Sequence, residues 1–470
     1  MAVVEVLKEI GDFCRATGLA ESTFGRLAVN DGKLMARLRD GGSVTIDTLA
    51  RLRQFMTEYK PAERGAVRVR GANARIGAAK LNAPSPALAT QAAAEPDNST
   101  NFRFFDNRQK YLLFVNTCSE KWVVANRVAM ELNHISPRPP AVRIFDAGVG
   151  DGTVLSRVLR AMHHKFPTMP FYTVGKEISL EDVRLTLEKI PDRFYEHPAS
   201  VLVLTNLYYA EAPWLSPKSP AAAQSMIWKD VALSGNSSHE FEEQLTDLQS
   251  FLAENWRAKT SEKTGGSIYE RPIVLTIYRE DHRFLLDPIL PRPGRVTADY
   301  DLIIASQPYR ARASAEFKAK RVIAPLAQAL GPGGRLIGIH STGGDPGLQI
   351  VQKIWPGENP FMVDRHALLK AVKHELGASG RHLNFNAYSD ARSVFRYDMH
   401  TLPSEVRGSI GTSTLFAAWN AAIYVAQIED QRLSEVVKND LYLEATQEAL
   451  QKNGGLWFND ESYVISRRAV

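Results

Sequence analysis

The sequence predicts an α/β protein with a doubly wound, mostly parallel sheet, preceded by a small all-α domain. Two observations predict the sheet: short apolar runs alternate with amphipathic segments after residue 140, and the runs end in polar or acidic residues. A third observation, apolar residues at helical spacing before residue 60, predicts the all-α domain.

Residues 1–60 are interpreted as a compact helical unit. The segment "VVEVLKEIGDFCRATG" places Leu7, Ile10 and Phe13 at helical spacing and stops at Gly18. Two short helical segments follow, separated by "NDG", and a last helix begins after a Ser or Thr cap in "SVTIDTLARLRQFMTEY".

This unit resembles the repressor-like helix-turn-helix family in its helix spacing and in the ending "RLRDGGSVTIDTLARL". The resemblance implies that Lys33, Arg37 and Arg39, on the second helix of the motif, contact nucleic acid. Residues 1–80 hold 14 Lys and Arg against 9 Asp and Glu, which accounts for the whole net charge of +5. The alternative is a helical bundle that serves docking or a homodimer.

Residues 61–100 are predicted to be a flexible linker, because Ala, Pro, Gly, Ser and Asn dominate them and large apolar residues are few. Residues 101–470 then have the composition of one folded domain. Within it we expect an insertion near 213–298 and a C-terminal elaboration over 342–460. The two cysteines, Cys14 and Cys118, are expected to be buried free thiols.

The sequence gives no sign of a membrane partner. Its first residues, "MAVVEVLKEIGDF", carry acids and lack a cationic lead, so they do not read as a signal peptide. No apolar stretch reaches the roughly 18 residues that a membrane helix needs. A cytoplasmic location is therefore expected.

A glycine-rich turn marks the first strand of the sheet. In "AVRIFDAGVGDGTVLSRVLRAM" a buried strand ends at Asp146, the chain passes Gly148, Gly150 and Gly152, and a helix follows. Such glycines let the backbone approach a ligand closely at a helix start. Turns of this kind also occur in dinucleotide and phosphate sites, so the turn alone does not name a ligand.

Four further strands follow in order. The second, in "FYTVGKEIS", ends at Glu177, an acid placed to accept hydrogen bonds from ribose hydroxyls. The third, in "ASVLVLTNLYY", ends at Asn206, which is placed to contact an adenine edge. The fourth and fifth are "DLIIAS" and "GGRLIGIHS".

These strand ends resemble the class I S-adenosylmethionine-dependent methyltransferases. The resemblance covers residues 141–341 and lies in "DAGVGDG", "GKEIS", "DLIIASQPY" and "LGPGGRLIGIH". It implies S-adenosyl-L-methionine as the cofactor, with its methionine part on Asp146, Gly148, Gly150 and Gly152 and its ribose on Glu177. The segment "SYVISR" suits the antiparallel last strand of that fold. A nicotinamide dehydrogenase is disfavoured, because the glycine spacing is D-x-G-x-G-x-G rather than G-x-G-x-x-G.

The tetrapeptide Ser306-Gln307-Pro308-Tyr309 stands at the end of the fourth strand. Members of the family that methylate amino groups carry Asp, Asn or Ser here, then Pro-Pro and an aromatic residue. The resemblance makes Ser306, Pro308 and Tyr309 candidate catalytic residues, which would orient a planar amine. Gln307 departs from the pattern, and a strand end turned by proline, with Tyr309 packing locally, is the alternative. His340, at the end of the fifth strand, is either a proton acceptor or a strand cap.

Three functions stay open at this point. The first is a methyltransferase that modifies an exocyclic amino group of a nucleic-acid base. The second is a methyltransferase for a small molecule or protein, with the N-terminal unit used for dimerisation or docking. The third is a non-catalytic, cofactor-sensing DNA-binding regulator.

Overall fold

The computed structural model describes residues 3–17, 19–29, 31, 34–39, 46–58, 108–261, 267–401, 403–436 and 440–469. The chain divides into two units, Met1–Thr90 and Gln91–Val470. The predicted linker over 61–100 lies outside the described residues, and so do the predicted cap residues of the last N-terminal helix.

The described part of the first unit is helical, as the sequence predicts. Its core contains Ile10, Phe24 and Leu52, all fully buried, and the rings of Phe24 and Phe55 meet at 5.5 Å. Cys14 is buried and free, as is Cys118 in the second unit. The helices of the first unit are α1 (Val3–Thr17), α2 (Glu21–Val29), α3 (Leu34–Arg39) and α4 (Ile46–Glu58).

The second unit contains a large central sheet, and the predicted α/β fold with a doubly wound, mostly parallel sheet is confirmed. Its strand order is β10-β12-β9-β8-β1-β2-β3-β7-β4, with β11 paired to β12, while β5 and β6 form a separate ribbon. The strands are β1 (Val142–Asp146), β2 (Phe171–Lys176), β3 (Ser200–Thr205), β4 (Ile227–Leu233), β5 (Ala258–Thr260), β6 (Ser267–Tyr269), β7 (Ile273–Arg279), β8 (Tyr300–Ser306), β9 (Leu330–Ser341), β10 (Leu383–Asn386), β11 (Val394–Asp398) and β12 (Trp457–Arg467).

The five predicted strands become β1, β2, β3, β8 and β9. Neighbours among them pair in parallel in the order β3-β2-β1-β8-β9, so their carboxyl ends meet at one edge of the sheet. The strand order reverses between β1 and β8, and ligands of open α/β sheets bind at such a point. β12 runs antiparallel to β9, as "SYVISR" predicts.

Helices cover both faces of the sheet, because successive strand residues alternate between two apolar cores. In β1, Ile144 belongs to the core under α6, α7 and α8, whereas Phe145 belongs to the core under α15 and α17. The helices are α5 (Arg108–Thr117), α6 (Glu120–Glu131), α7 (Thr153–Lys165), α8 (Leu180–Lys189), α9 (Pro191–Glu196), α10 (Pro220–Ser225), α11 (Ser238–Thr246), α12 (Gln249–Asn255), α13 (Arg283–Leu286), α14 (Ala315–Lys318), α15 (Ala324–Gln328), α16 (Pro346–Ile354), α17 (Arg365–Leu376), α18 (Asp390–Ser393), α19 (Pro403–Val406), α20 (Thr412–Val425), α21 (Asp430–Val436) and α22 (Leu441–Asn453).

The insertion near 213–298 extends the sheet. Its β7 pairs antiparallel with β3, and its β4 pairs in parallel with β7 at the sheet edge. The sequence predicts a strand over "RPIVLTIYRED" but does not place it beside β3. In the C-terminal elaboration, α16, α20 and α22 share a third apolar core with α5. Among the described helices, none is long and apolar enough to cross a bilayer.

Candidate active site

The glycine-rich turn joins β1 to α7 and needs glycine at two positions. Gly150 and Gly152 have φ of +55° and +79°, in the left-handed region that other residues avoid. A Cβ on Gly152 would also lie 2.8 Å from the Cα of Thr186 in α8. Gly152 therefore lets the turn pack against α8.

Gly148 has a different surrounding. A Cβ built on it meets no atom within 4 Å, so the turn borders open space there. Its amide donates a hydrogen bond of 3.1 Å to Oδ1 of Asp146, which is itself buried. Of the three glycines of the turn, only Gly148 has no protein atom within 4 Å of such a Cβ, so a ligand could approach the backbone here.

Glu177 binds the turn through its carboxylate. Its Oε2 accepts from the amide of Gly150 at 2.9 Å, and its Oε1 accepts from Ile178 and Ser179 at 2.7 and 2.9 Å. A carboxylate offers about four acceptor positions, so three amides leave room for one more donor. The predicted bond to a ribose hydroxyl stays a prediction, and this geometry is compatible with it.

Two residues that the sequence reasoning missed, Tyr111 and Lys189, hold the turn at Asp151. Tyr111 of α5 accepts from the amide of Asp151 at 3.1 Å through Oη, and it donates to Oδ1 of Asp151 at 3.3 Å. Lys189 of α8 donates to the carbonyl of Asp151 at 2.8 Å. Asp151 lies within "DAGVGDG", so the motif contained a signal for it. Tyr111 and Lys189 come from elements that only the fold brings there.

The site carries an excess of buried acid. Burial raises the pKa of Asp146 to about 7 and that of Asp182 also to about 7, and the charge of Glu177 raises both. Lys121 is the cation that interacts with both acids, and it forms an ion pair of 3.1 Å with buried Glu120. A cationic ligand would relieve this excess of negative charge.

Asn206 lies at the end of β3, as predicted, but its amide group is engaged within the protein. Its Nδ2 donates to the carbonyl of Arg271 at 2.8 Å, and its Oδ1 accepts from the amide of Ile273 at 2.9 Å. The side chain is 1% exposed. The predicted adenine contact stays a prediction, and a contact through the side chain would require these bonds to open.

The tetrapeptide Ser306-Gln307-Pro308-Tyr309 begins at the last residue of β8, at the same edge of the sheet. Ser306 is half-buried, while Pro308 and Tyr309 are buried. Gln307 has a φ of +48°, whereas a proline ring holds φ near −65°. Position 307 therefore has a backbone that proline cannot adopt, and the departure from the Pro-Pro pattern changes the course of the chain as well as the side chain.

The side chain of Gln307 completes a polar group on one face of the sheet. Its Nε2 lies 3.0 Å from Oγ of Ser341 and 3.3 Å from both carboxylate oxygens of Asp460. Ser341 also donates to Asp460 at 2.9 Å. Burial raises the pKa of Asp460 to about 8, and the charge of Glu120 acts in the same direction.

Tyr309 points into the opposite face, and its hydroxyl lies 2.6 Å from Nδ1 of His340. His340 lies 2.8 Å from Oε1 of Glu461 through Nε2, and Arg365 donates to Oε2 of Glu461 at 2.6 Å. We call Tyr309, His340, Glu461 and Arg365 the Tyr309 chain. The carbonyl of Pro308 accepts from the hydroxyl of Tyr209 at 2.7 Å.

The predicted nucleic-acid contacts are only partly described. Lys33 lies outside the described residues, and Arg37 lies in α3 with a side chain outside the description. Arg39 forms an exposed ion pair of 2.7 Å with Glu21. Nucleic-acid binding by this unit, and its helix-turn-helix character, stay predictions.

No protein-family model matches the chain, and no curated protein matches its sequence. Solved structures that match include a geranyl diphosphate methyltransferase in complex with GPP and sinefungin, at 11% identity and a TM-score of 0.27, over 73% of this chain and 78% of that one. A phosphoethanolamine N-methyltransferase from Haemonchus contortus matches at 11% and 0.29, over 79% and 60%. PKMT2 from Rickettsia typhi, in complex with AdoHcy, matches at 12% and 0.24, over 75% and 54%. Similarities this low say nothing about the substrate or activity of this chain.

Proposed function

We propose that this protein is an S-adenosylmethionine-dependent methyltransferase. The observation that carries the proposal is the turn between β1 and α7, which borders open space at Gly148 and is bound by Glu177 from the end of β2. The point of reversed strand order lies beside it, between β1 and β8. Both observations support a ligand at this edge of the sheet.

The residues at this edge suit that cofactor chemically. When bound, it supplies a methyl group on a positively charged sulfonium. Asp146 and Glu177, with Asp182 nearby, provide a negative environment for a cation, and Glu177 keeps one acceptor position for a hydroxyl. Ser306 and Gln307 lie across the reversal point, where a second substrate would meet the cofactor. The protein's part is then mainly alignment and exclusion of water.

The tetrapeptide Ser306-Gln307-Pro308-Tyr309 bears on which substrate receives the methyl group. The order Ser306, Pro308, Tyr309 supports an exocyclic amino group of a base, as the resemblance implies. The left-handed backbone at Gln307 speaks against it, because the chain does not follow the course that two prolines would impose. This observation favours the second candidate, a small-molecule or protein acceptor.

The first experiment is a titration of the full chain with S-adenosylmethionine by calorimetry, with two matched variants. Asp146→Ala should lose affinity, because its carboxylate lies at the turn. Asp301→Ala should keep its affinity for the cofactor, because Asp301 lies near the opposite end of β8 and its carboxylate accepts from the backbone amide of Arg143 at 2.8 Å. Equal affinities for the two variants would contradict the proposed site.

The second experiment is transfer of labelled methyl from S-adenosylmethionine to duplex DNA, single strands, RNA and a polymer-free cell extract. Label in nucleic acid would support the base-modifying enzyme, and label only in the extract would support a small-molecule enzyme. Cofactor binding and binding to a defined operator, without label in any fraction, would support a cofactor-sensing regulator instead.

A further inference from the structure

The Tyr309 chain is a buried line of hydrogen bonds that starts beside the proposed acceptor position. Tyr309 is 7% exposed, and the other three residues are 4% exposed or less. Gln307 and Ser306, two and three positions before Tyr309, are half-buried and border the surface. The hydrogen bonds of the Tyr309 chain therefore lead from the end of β8 into the protein.

Each link has a donor and an acceptor that suit proton movement. With its proton on Nε2, His340 donates to Oε1 of Glu461 and accepts from the Tyr309 hydroxyl through Nδ1. The guanidinium of Arg365 and its own amide, at 2.7 Å from Oε1, both bind Glu461. This is the arrangement of a histidine base whose orientation and tautomer are set by a carboxylate.

The surroundings of the Tyr309 chain leave His340 neutral, so that it can accept a proton. Burial lowers the pKa of His340 below its ordinary range, so the imidazole is neutral at neutral pH. Burial raises the pKa of Tyr309 well above its ordinary value, so Tyr309 keeps its proton. Burial alone would raise the pKa of Glu461, but hydrogen bonds from His340 and from the side chain and amide of Arg365 lower it below its ordinary value and leave a carboxylate.

Methylation of a neutral amine needs no such base, because the nitrogen already presents a lone pair. A hydroxyl oxygen is a weak nucleophile until a base takes its proton in the transition state. A neutral histidine paired with a carboxylate, at the acceptor end of the sheet, is therefore unexplained by amine methylation.

We propose that the Tyr309 chain is the proton acceptor of an O-methyltransferase, so that the acceptor substrate is a hydroxyl compound. This inference rests on the proposed function and names its substrate class. Tyr309 contacts the substrate and relays the proton, His340 receives it, and Glu461 and Arg365 are positioning residues.

In the methyl-transfer step, one bond forms at the methyl carbon and one breaks. The acceptor oxygen gives a lone pair to the methyl carbon, and the carbon–sulfur bond breaks with its electrons left on sulfur. The hydroxyl proton of the acceptor moves to Oη of Tyr309 while the tyrosine proton moves to Nδ1 of His340. The imidazolium is stabilised by Glu461 and returns its proton to water after the product leaves.

The groups that face His340 come from several elements. Tyr463 and Glu461 reach it from β12, and Tyr309 reaches it from the segment after β8. The charge of Lys318 on α14 lowers the pKa of His340, and that of Asp364 before α17 raises it. Burial has the largest effect on the pKa of His340 and lowers it.

The first test needs neither cofactor nor acceptor. Nitrogen NMR of ¹⁵N-histidine-labelled full chain, with His340 assigned from His340→Asn, reports its tautomer. A neutral ring protonated on Nε2 at pH 7.5 is expected, with a weaker tautomer preference in Glu461→Gln. A ring protonated on Nδ1, or doubly protonated, could not accept the tyrosine proton and would overturn the inference.

The second test uses labelled S-adenosylmethionine and polymer-free extract. Label should appear on oxygen, and Tyr309→Phe and His340→Asn should each lower the initial rate by about 100-fold while cofactor affinity is retained. Tyr300→Phe is the matched control, because Tyr300 also buries a hydroxyl, which donates to Pro213 at 2.9 Å near the far end of β8. Its rate should stay at the wild-type value.

The pH profile separates a base from a structural role. The wild-type rate should fall in acid as His340 becomes protonated, and His340→Asn should lose that limb. Label on nitrogen, wild-type rates in both variants, or cofactor binding without label in any fraction would overturn the inference. Failure of the wild type to bind the cofactor would overturn the proposed function instead, whereas the NMR result still stands on its own.

Discussion

Gln307 gives the backbone of the tetrapeptide a course that differs from that of the Pro-Pro pattern. Its backbone lies in the left-handed region, its amide donates to the carbonyl of Ile339 at 2.9 Å, and its side chain binds Ser341 and Asp460. Gln307→Pro, which restores the Pro-Pro pattern, should therefore lower the free energy of unfolding by about 3 kcal/mol. Denaturant unfolding of the purified variant measures it.

Gln307→Gly is the control for this change. It loses the same side-chain bonds but keeps the amide and tolerates the positive φ, so it should be clearly more stable than Gln307→Pro. A proline variant as stable as the glycine variant would show that the backbone at 307 can take the course of the Pro-Pro pattern.

Gly148 and Gly152 allow cofactor contact to be separated from folding. Gly152→Ala should destabilise the protein, because its φ is positive and its Cβ would lie 2.8 Å from Thr186. Gly148→Ala should leave the melting temperature nearly unchanged, since its Cβ meets no atom within 4 Å. It should nevertheless weaken S-adenosylmethionine binding by filling the space at the turn. Wild-type affinity in folded Gly148→Ala would place the ligand elsewhere.

Residues that the sequence could identify are those whose role is local. Asp146 and the glycines follow from a strand-to-turn pattern within residues 142–152. Tyr111 is 40 positions distant from Asp151, and Tyr463, which lies beside Tyr309, is on β12 near the C-terminus. Local periodicity carries no information about such contacts, so only the fold reveals them.

At the scale of elements, Asn206 joins the insertion to the sheet. Its two bonds, to Arg271 before β7 and to Ile273 at the start of β7, hold that strand beside β3. Asn206→Ala leaves the part-buried carbonyl of Arg271 and the buried amide of Ile273 without this partner, so it should cost about 2 kcal/mol of stability. Cofactor affinity, measured well below the melting temperature, should change little. A large loss of affinity without loss of stability would support the adenine contact.

The sheet as an element was predictable where strands are buried and parallel, because their apolar runs are short and end in polar residues. The position of β7 was not, since an antiparallel pairing across an insertion of this length leaves no mark in either strand. The same holds for β4, whose residues are mostly half-buried or exposed and lack an apolar run.

The carboxyl edge of the sheet should make cofactor binding pH-dependent. Burial raises the pKa of Asp146 from 3.8 to about 7, so the folded state holds a proton that the unfolded chain has released. The carboxyl therefore contributes stability in acid and loses that contribution as pH rises through 7. A cation prefers the ionised carboxylate, so affinity for S-adenosylmethionine should rise roughly tenfold from pH 6 to pH 8.

The cofactor has titratable groups of its own, and Asp146→Asn is the control for their effect. Its affinity for S-adenosylmethionine should change less with pH across the same range. Calorimetry at several pH values measures both proteins. A steeper dependence in the variant, or a wild-type affinity that falls with pH, would contradict the assignment of Asp146 to the cofactor.

At the scale of the whole molecule, the chain consists of two units with separate apolar cores. Deletion of residues 1–90 should therefore leave the melting temperature and cofactor affinity of the remaining chain unchanged. If the first unit binds nucleic acid, as its sequence predicts, the deletion should abolish binding to duplex DNA in a fluorescence anisotropy titration. Loss of cofactor affinity on deletion would show that the units are coupled.

Two exposed arginines of the first unit provide a matched comparison. Arg39 pairs with Glu21, and Arg15 pairs with Asp12, so each substitution to alanine removes one surface ion pair and one positive charge. Arg39→Ala should weaken DNA binding and reduce its salt dependence by about one released ion, whereas Arg15→Ala on α1 should not. Equal effects would indicate nonspecific attraction to a basic surface, and no effect from either would favour docking or dimerisation as the role of this unit.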